Sequence, residues 1–225
     1  MNIAIIPARI GSKRIKEKNI KNFFGKPIIC YSILAAQQTG IFSKIIVTTD
    51  SLKIAKIAKK YGADIFFRSK KLSKDSTMLS PVIHDVLKKN EYSSEDYVCC
   101  IYATAPLINY TDIKKSLLKL KVKKCLACHT VTDYDFPVAR SLIFSKSLVQ
   151  FKYKKFKNTP SQKTPKIVHD AGQFFWLKVN SFLKSKNLFP KKTLGYYINR
   201  DRSQDIDTMS DWNLALYKYK KNNDA

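Results

Sequence analysis

Glycine is scarce in this chain, with six in 225 residues, and the glycine signatures of nucleotide binding are missing. A Walker A loop needs G-x-x-x-x-G-K-S/T, and Gly11-Ser12-Lys13 lacks the first glycine at that spacing. Gly11 has no partners at the positions of the dinucleotide fingerprint G-x-G-x-x-G either. No G-x-S-x-G elbow exists to make Ser12 or Ser76 a hydrolase nucleophile. No apolar stretch approaches the ~18 residues that a membrane span needs. The run 3–7 is too short for a signal-peptide core and is followed, not preceded, by charge. The expectation is a soluble cytoplasmic protein.

Acidic residues are also few: 17 Asp and Glu stand against 42 Lys and Arg, a net charge of +25. Such a charge suits a nucleic-acid binder or an enzyme of highly anionic substrates. The lysines are spread in pairs such as Lys59-Lys60 and Lys123-Lys124 with no dominant block, which equally fits a compositional bias on solvated faces. The five cysteines are an odd number, which argues for free thiols in a reducing compartment. Cys125 and Cys128 have C-x-x-C spacing, but there is no second pair to close a zinc site. Residues 124–131 read as a strand, on which side chains three apart face opposite ways.

What is present begins with an apolar strand at 3–7 running into a loop that carries Arg9, Lys13, Arg14, Lys16 and Lys18. Downstream, apolar periodicity predicts a helix opening at Pro27 and stopped by Gly40. It then predicts a strand at 44–50, a helix at 51–61, a short strand at 64–67, a polar loop at 70–77 and a helix from Ser80 to about Lys89. The wholly apolar strand 97–102 suits a sheet covered on both faces. A helix capped by Thr111-Asp112 runs to Leu120, and another strand follows at 124–131. This alternation is the pattern of a mostly parallel, doubly wound α/β sheet, whose ligands bind at the carboxyl ends of strands. Residues 132–166 break the pattern with short alternating runs and read as a β arm with exposed aromatics, an oligomerisation element. Strand 173–178, helix 180–186, strand 193–198 and a last helix at 210–219 follow, and the whole chain, 1–225, reads as one domain.

Two constellations carry chemistry. The opening loop can hold a phosphate-sized anion on Arg9, Lys13, Lys18 and loop amides, or be a solvated basic surface. Asp205 and Asp207, two apart on an extended segment, project from one face and stay ionised most comfortably around a divalent cation such as Mg²⁺; alternatively Asp207 caps the last helix. His169-Asp170, just before a strand, invites a hydrolase reading, but His169 suits a substrate hydrogen bonder or local structural residue better.

Taken in order, Ile6-Pro-Ala-Arg-Ile-Gly-Ser-Lys13 with Lys18-Asn19, Val47-Thr-Thr-Asp50, Ile101-Tyr-Ala-Thr-Ala-Pro106 and Asp205-Ile-Asp-Thr208 resemble the acylneuraminate (CMP-sialic acid) cytidylyltransferase family over nearly the whole chain. His169-Asp-Ala-Gly-Gln-Phe-Phe-Trp176 resembles the branch of that family acting on pseudaminic acid. Sialic acid enzymes usually carry Asn-Gly-Ala there and a Gln where this chain has Tyr102, so both departures favour a related nonulosonic acid. The resemblance implies a Rossmann-like nucleotidyltransferase fold and a Mg²⁺-dependent reaction in which the sugar's anomeric hydroxyl attacks the α-phosphorus of CTP. It implies that Ala8, Arg9, Ser12, Lys13, Lys18, Asn19 and Asp75 hold the nucleotide and that Asp205 and Asp207 bind the metal. Tyr102, Thr104, His169, Asp170 and Gln173 would line the sugar pocket, with Arg9, Lys18 and Asp207 catalytic. It also implies a homodimer with an exchanged β arm; neither a membrane nor nucleic acid is expected as a partner. CMP-N-acetylneuraminate or CMP-legionaminate synthesis, and RNA binding by a degenerate nucleotide fold, stay open.

Overall fold

The computed structural model describes residues 1–88, 92, 93 and 95–223. In chain order the strands and helices are β1 (Asn2–Pro7), β2 (Asn22–Phe23), β3 (Lys26–Pro27), α1 (Ile29–Thr39), β4 (Lys44–Thr49), α2 (Leu52–Lys60), β5 (Asp64–Phe67), α3 (Leu79–Leu87) and β6 (Tyr97–Ile101). There follow α4 (Tyr110–Val122), β7 (Ala127–Asp133), β8 (Leu142–Ser145), β9 (Leu148–Phe151), β10 (Val168–Lys178), α5 (Val179–Ser185), β11 (Thr193–Tyr197) and α6 (Met209–Asn223).

Seven strands form one sheet in the order β11-β7-β10-β6-β1-β4-β5. All its pairings are parallel except those of β10, which runs antiparallel to both β6 and β7. The expected mostly parallel α/β sheet is therefore present. β6 is buried at every residue because helices cover both faces. Cys99 and Ile101 join one core with residues of α1, α2 and α4, while Val98 and Cys100 join another with α3 and α5. A third cluster lies beside the sheet: Trp212 and Ala215 of α6 pack with Phe23, Ile28, Ile15 and Ile206.

Several local expectations shift. Pro27 lies in the β2–β3 hairpin, not at a helix start, and α1 begins at Ile29; Gly40 does end it, at φ +64°. The cap of α4 is Asn109, whose side chain accepts from the Thr111 N–H at 2.8 Å. Asp112 is buried instead against Arg202 and Tyr196. α3 is described to Leu87, and Lys89 lies outside the described residues. A 3-10 turn (Lys70–Ser73) interrupts the polar loop. β7 starts at Ala127, so Cys125 precedes it and is half-buried, while the other four thiols are buried. Residues 168–172, read as preceding a strand, are the first half of β10.

The arm expected at 132–166 contains the hairpin β8–β9, which among the described residues forms a two-stranded sheet of its own, unpaired with the main sheet. Leu142, Ile143, Phe144, Leu148 and Val149 are all exposed on it.

Candidate active site

The carboxyl ends of the parallel strands converge on one edge of the sheet, and the reversed β10 brings its amino-terminal half to that same edge. The Tyr102 N–H, just past β6, donates to Gln173 O at 2.9 Å. Between the pairs Asp170–Val131 and Phe175–His129 the register shifts, so residues 171–174 of β10 face only Thr130 of β7. Gly172 takes φ +66°, a left-handed conformation that glycine adopts without strain, and the Thr130 hydroxyl donates to Phe174 O at 2.8 Å across the bulge.

The loop after β1 is tied down from inside. Asn19 is buried and donates to Arg9 O at 2.7 Å, and the Ile10 N–H donates to Asp50 at 3.2 Å. Arg9 and Lys13 both pair with Asp75, Lys13 at 2.6 Å, and these hydrogen bonds hold the Asp75 carboxyl below its ordinary pKa. Arg14 pairs with Asp207 at 2.9 Å and Lys18 lies 3.5 Å from the same carboxylate. Lys18 also donates to Ile206 O. Asp205 keeps accessible surface, yet its carboxyl is pushed up in pKa, first by the protein crowded around it and then by the charge of Asp207, with Asp170 adding to it and Lys18 opposing.

Three adjoining hollows make up the cleft. One of about 340 Å³ is lined by Arg9, Ser12, Lys13, Arg14, Lys18, Asp75 and Asp207. A second, of about 210 Å³, shares Arg9, Ser12 and Lys18 with the first and adds Asn19, Arg68, Tyr102 and Thr104. A third, of about 450 Å³, shares Asp207 and adds Asp205, His169, Tyr134, Asp135, Arg200 and Lys218. The two constellations read from the sequence, with Lys18 and Asp207 far apart along the chain, thus meet at a single wall. A further hollow of about 350 Å³ between α1 and α6 contains none of the expected site residues.

Most expected residues reach the cleft, and two do not. Gln173 is 2% exposed and donates to Arg202 O, so its amide faces the segment before Asp205 rather than a sugar pocket. Ala8 is buried and its N–H is used by Thr48 O, which leaves it no free donor or side chain. Tyr102 donates to Asp170 at 3.3 Å, and Asp170 also accepts the Gly172 N–H at 2.7 Å. Burial, then the Asp170 charge, pushes the Tyr102 phenol well up in pKa, so it remains a donor. His169 contacts the backbone carbonyl of Asp170, not its carboxylate, at 2.8 Å, and its ring lies tilted against that of Tyr134, so no hydrolase-like His169–Asp170 carboxylate pair forms.

The chain's motifs gave no hint of Arg68. Its guanidinium donates to Thr48 O at 3.0 Å, while its buried Nε has no hydrogen-bond partner, and it lines the second hollow. Its position directly after β5, at a strand's carboxyl end, was the available signal.

As to metal binding, the described residues hold no group of three His, Cys, Asp or Glu side chains able to grip an ion. Asp205 and Asp207 alone offer hard oxygen donors on one segment, with a repulsion between them that a cation would relieve. A pair of carboxylates completed by substrate phosphates is the usual way Mg²⁺ is held, and the residues fit it.

Comparison with known proteins agrees with this geometry. The cytidylyltransferase family profile matches residues 3–222. A pseudaminic acid cytidylyltransferase of Campylobacter jejuni subsp. jejuni serotype O:23/36 (strain 81-176) is 35% identical over 229 residues, covering 100% of this chain and 98% of that protein. An N-acylneuraminate cytidylyltransferase of Escherichia coli O18:K1:H7 (strain RS218 / NMEC) is 30% identical, covering 98% of this chain and 52% of that protein. The fold is similar to a solved CMP:2-keto-3-deoxy-manno-octonic acid synthetase complexed with CTP, at TM-score 0.70 and 14% identity, covering 100% of this chain and 99% of that one. With a shared edge that joins a cationic loop to a carboxylate pair, and a match spanning almost its whole length, the chain belongs to the cytidylyltransferase family and is a nucleotidyltransferase.

Proposed function

We propose that this protein activates pseudaminic acid: the anomeric hydroxyl of the sugar acid attacks the α-phosphorus of CTP, the bond from that phosphorus to the bridging oxygen breaks, and CMP-pseudaminic acid and pyrophosphate form. The observation that carries the reaction type is Asp207, common to the hollow of Arg9, Lys13 and Lys18 and to the hollow of His169 and Asp205. The sugar identity is supported by the 35% identity to the Campylobacter enzyme along the full chain.

In this reading Asp75 stands in for an anion. Arg9 and Lys13 exchange its single carboxylate for the β- and γ-phosphates, which carry more charge and more acceptor oxygens. Asn19 holds the Arg9 backbone, keeping the loop in place as that exchange occurs. Arg68 offers its unused Nε donor to the nucleotide on the far side of the loop. Asp205 and Asp207 would hold Mg²⁺, which when bound neutralises charge on the α-phosphate and the leaving pyrophosphate. Lys18 sits between Asp207 and Ile206 O and sets the distance between the loop and the carboxylates. Tyr102, Thr104, His169 and Asp170 form the acceptor wall. The exposed apolar hairpin β8–β9 packs against a second copy, making a homodimer, and the five unpaired thiols suit the cytoplasm.

The test is a panel of nonulosonic acids with CTP and Mg²⁺, read as pyrophosphate release. Release with pseudaminic acid is expected. Release with N-acetylneuraminic or legionaminic acid in its place moves the substrate assignment, and no release with any sugar acid overturns the reading.

A further inference from the structure

We infer that Lys218, on the last helix and outside every motif, is the positioning residue that sets where Asp205 and Asp207 stand, with Gln173 as its counterpart on β10. The inference rests on the reading of those aspartates as the metal-binding pair.

Lys218 is a half-buried cation in a protein rich in exposed lysines, and its ammonium forms no ion pair with a carboxylate among the described residues. It donates instead to Arg200 O at 2.9 Å, Ser203 O at 2.7 Å and Gln204 Oε1 at 3.0 Å. An ammonium has three protons, and three acceptors use all of them. The group is therefore committed to holding the turn that enters Asp205, although it lines the same hollow as Asp205, Asp207 and His169. Gln173 holds Arg202 O from the other side, and the Ser203 hydroxyl donates to Ala171 O at 2.8 Å. Three consecutive residues, Arg202, Ser203 and Gln204, are thus gripped between β10 and α6.

The grip passes directly to the carboxylates. A Cβ at Gly172 would lie 3.4 Å from Asp205 Cβ, so Asp205 rests on the bare backbone of the bulge. Ile206 is fully buried among residues of the third core, including Trp212 of α6. Beyond it, Asp211 accepts from the Asp207 N–H at 3.1 Å and the Thr208 N–H at 2.7 Å. Both aspartates are therefore mounted on α6, before them by Lys218 and after them by Asp211. Charged N–H donors to carbonyls make strong, directional bonds, and groups that orient ligands in this way tune metal affinity.

The decisive variant is Lys218→Met, which keeps the stem and removes the donors. The probe is Mn²⁺ added to the enzyme–CTP complex, read by loss of the free-ion electron paramagnetic signal, alongside kcat, KM for CTP and Tm. Second-layer substitutions weaken metal binding by roughly 10–100-fold, and a loss in that range is expected for Lys218→Met. KM for CTP at saturating metal should stay unchanged, because Arg9 and Lys13 are on another element. Lys218→Arg should recover part of the lost affinity. Wild-type Mn²⁺ affinity in Lys218→Met, with only a lower Tm, overturns the inference. If Lys218→Met does not fold, Lys218→Gln takes its place, since its uncharged amide is too short and has too few protons to serve all three acceptors, and wild-type Mn²⁺ affinity there likewise overturns the inference. Asp207→Ala separates the two levels: unaltered Mn²⁺ binding there defeats the metal reading itself. Loss there with none in Lys218→Met defeats only the positioning role.

Discussion

On the nucleotide side of the cleft, Arg9, Lys13 and Arg14 are accessible cations whose partners, Asp75 and Asp207, are accessible too. On the acceptor side, Lys218, Gln173 and Ser203 are drawn inward and bound to backbone carbonyls. The first wall is electrostatic, with pairs that water screens and a ligand can exchange; exposed pairs of this kind contribute little to stability. The second wall is a hydrogen-bonded mount, where a lost donor strands a buried acceptor at a cost of about 1–3 kcal/mol. A site that must admit and release a triphosphate benefits from exchangeable pairs on one side and fixed carboxylates on the other.

Neighbouring residues make the sharpest break in this comparison. Asp207→Ala should cut turnover by about 10²–10³, the scale of losing one preorganised charge at a reacting centre, while Tm stays near wild type because Arg14 and Asp207 are accessible. Near-wild-type turnover would remove Asp207 from the chemistry. Ile206→Ala, one residue away, should do the reverse and destabilise the fold by about 2–5 kcal/mol, since Ile206 is fully buried beside Trp212 and Ile15. At about 2–4 °C per kcal/mol for a chain of this size, that fall is plain in a thermal melt, and an unchanged Tm would refute the packing account. Arg9→Ala should lower kcat/KM for CTP by roughly 10–150-fold, the worth of one charged hydrogen bond of about 1.5–3 kcal/mol, without a matching loss of Tm. Wild-type kinetics would take Arg9 out of the site.

The smallest effect is a pH dependence of stability at His129. Its ring is sandwiched between Phe175 and Phe189, and burial lowers its pKa, opposed by the contact with Leu188 O and the charge of Asp170. The unfolded chain therefore binds this proton at higher pH than the native one. Stability is full above the ordinary histidine pKa of about 6.5 and falls as pH drops below it toward the lowered folded value. Melts between neutral and mildly acidic pH should show this loss, and His129→Gln should flatten it. An equal slope in that variant would assign the effect elsewhere.

Much of this was legible in the chain. Periodicity located the strands and helices, because a covered parallel strand such as β6 is a continuous apolar run and a helix such as α2 repeats its apolar side chains every three to four residues. The cationic loop and the Asp205–Asp207 pair were also visible, since both are local clusters of one charge. Gln173 was misread because its direction depends on a bulge and on the left-handed turn at Gly172, which exist only once β7 is paired. Arg68 passed unnoticed because a single arginine after a short strand has no pattern. Lys218 was hidden by abundance, one lysine among many on a helix whose other lysines are exposed.

Element types, their order and the charge of the two constellations follow from residue chemistry within short windows, where backbone preference and side-chain burial act locally. The site itself does not. It exists because β10 enters the sheet in reverse between β6 and β7, carrying His169 and Asp170 to the edge where Arg9 and Tyr102 emerge. It also needs Ile15 and Ile206 in one small core, which holds the cationic loop against the aspartates. Strand order and core membership are set by pairing and packing between distant residues, and no short window contains that information.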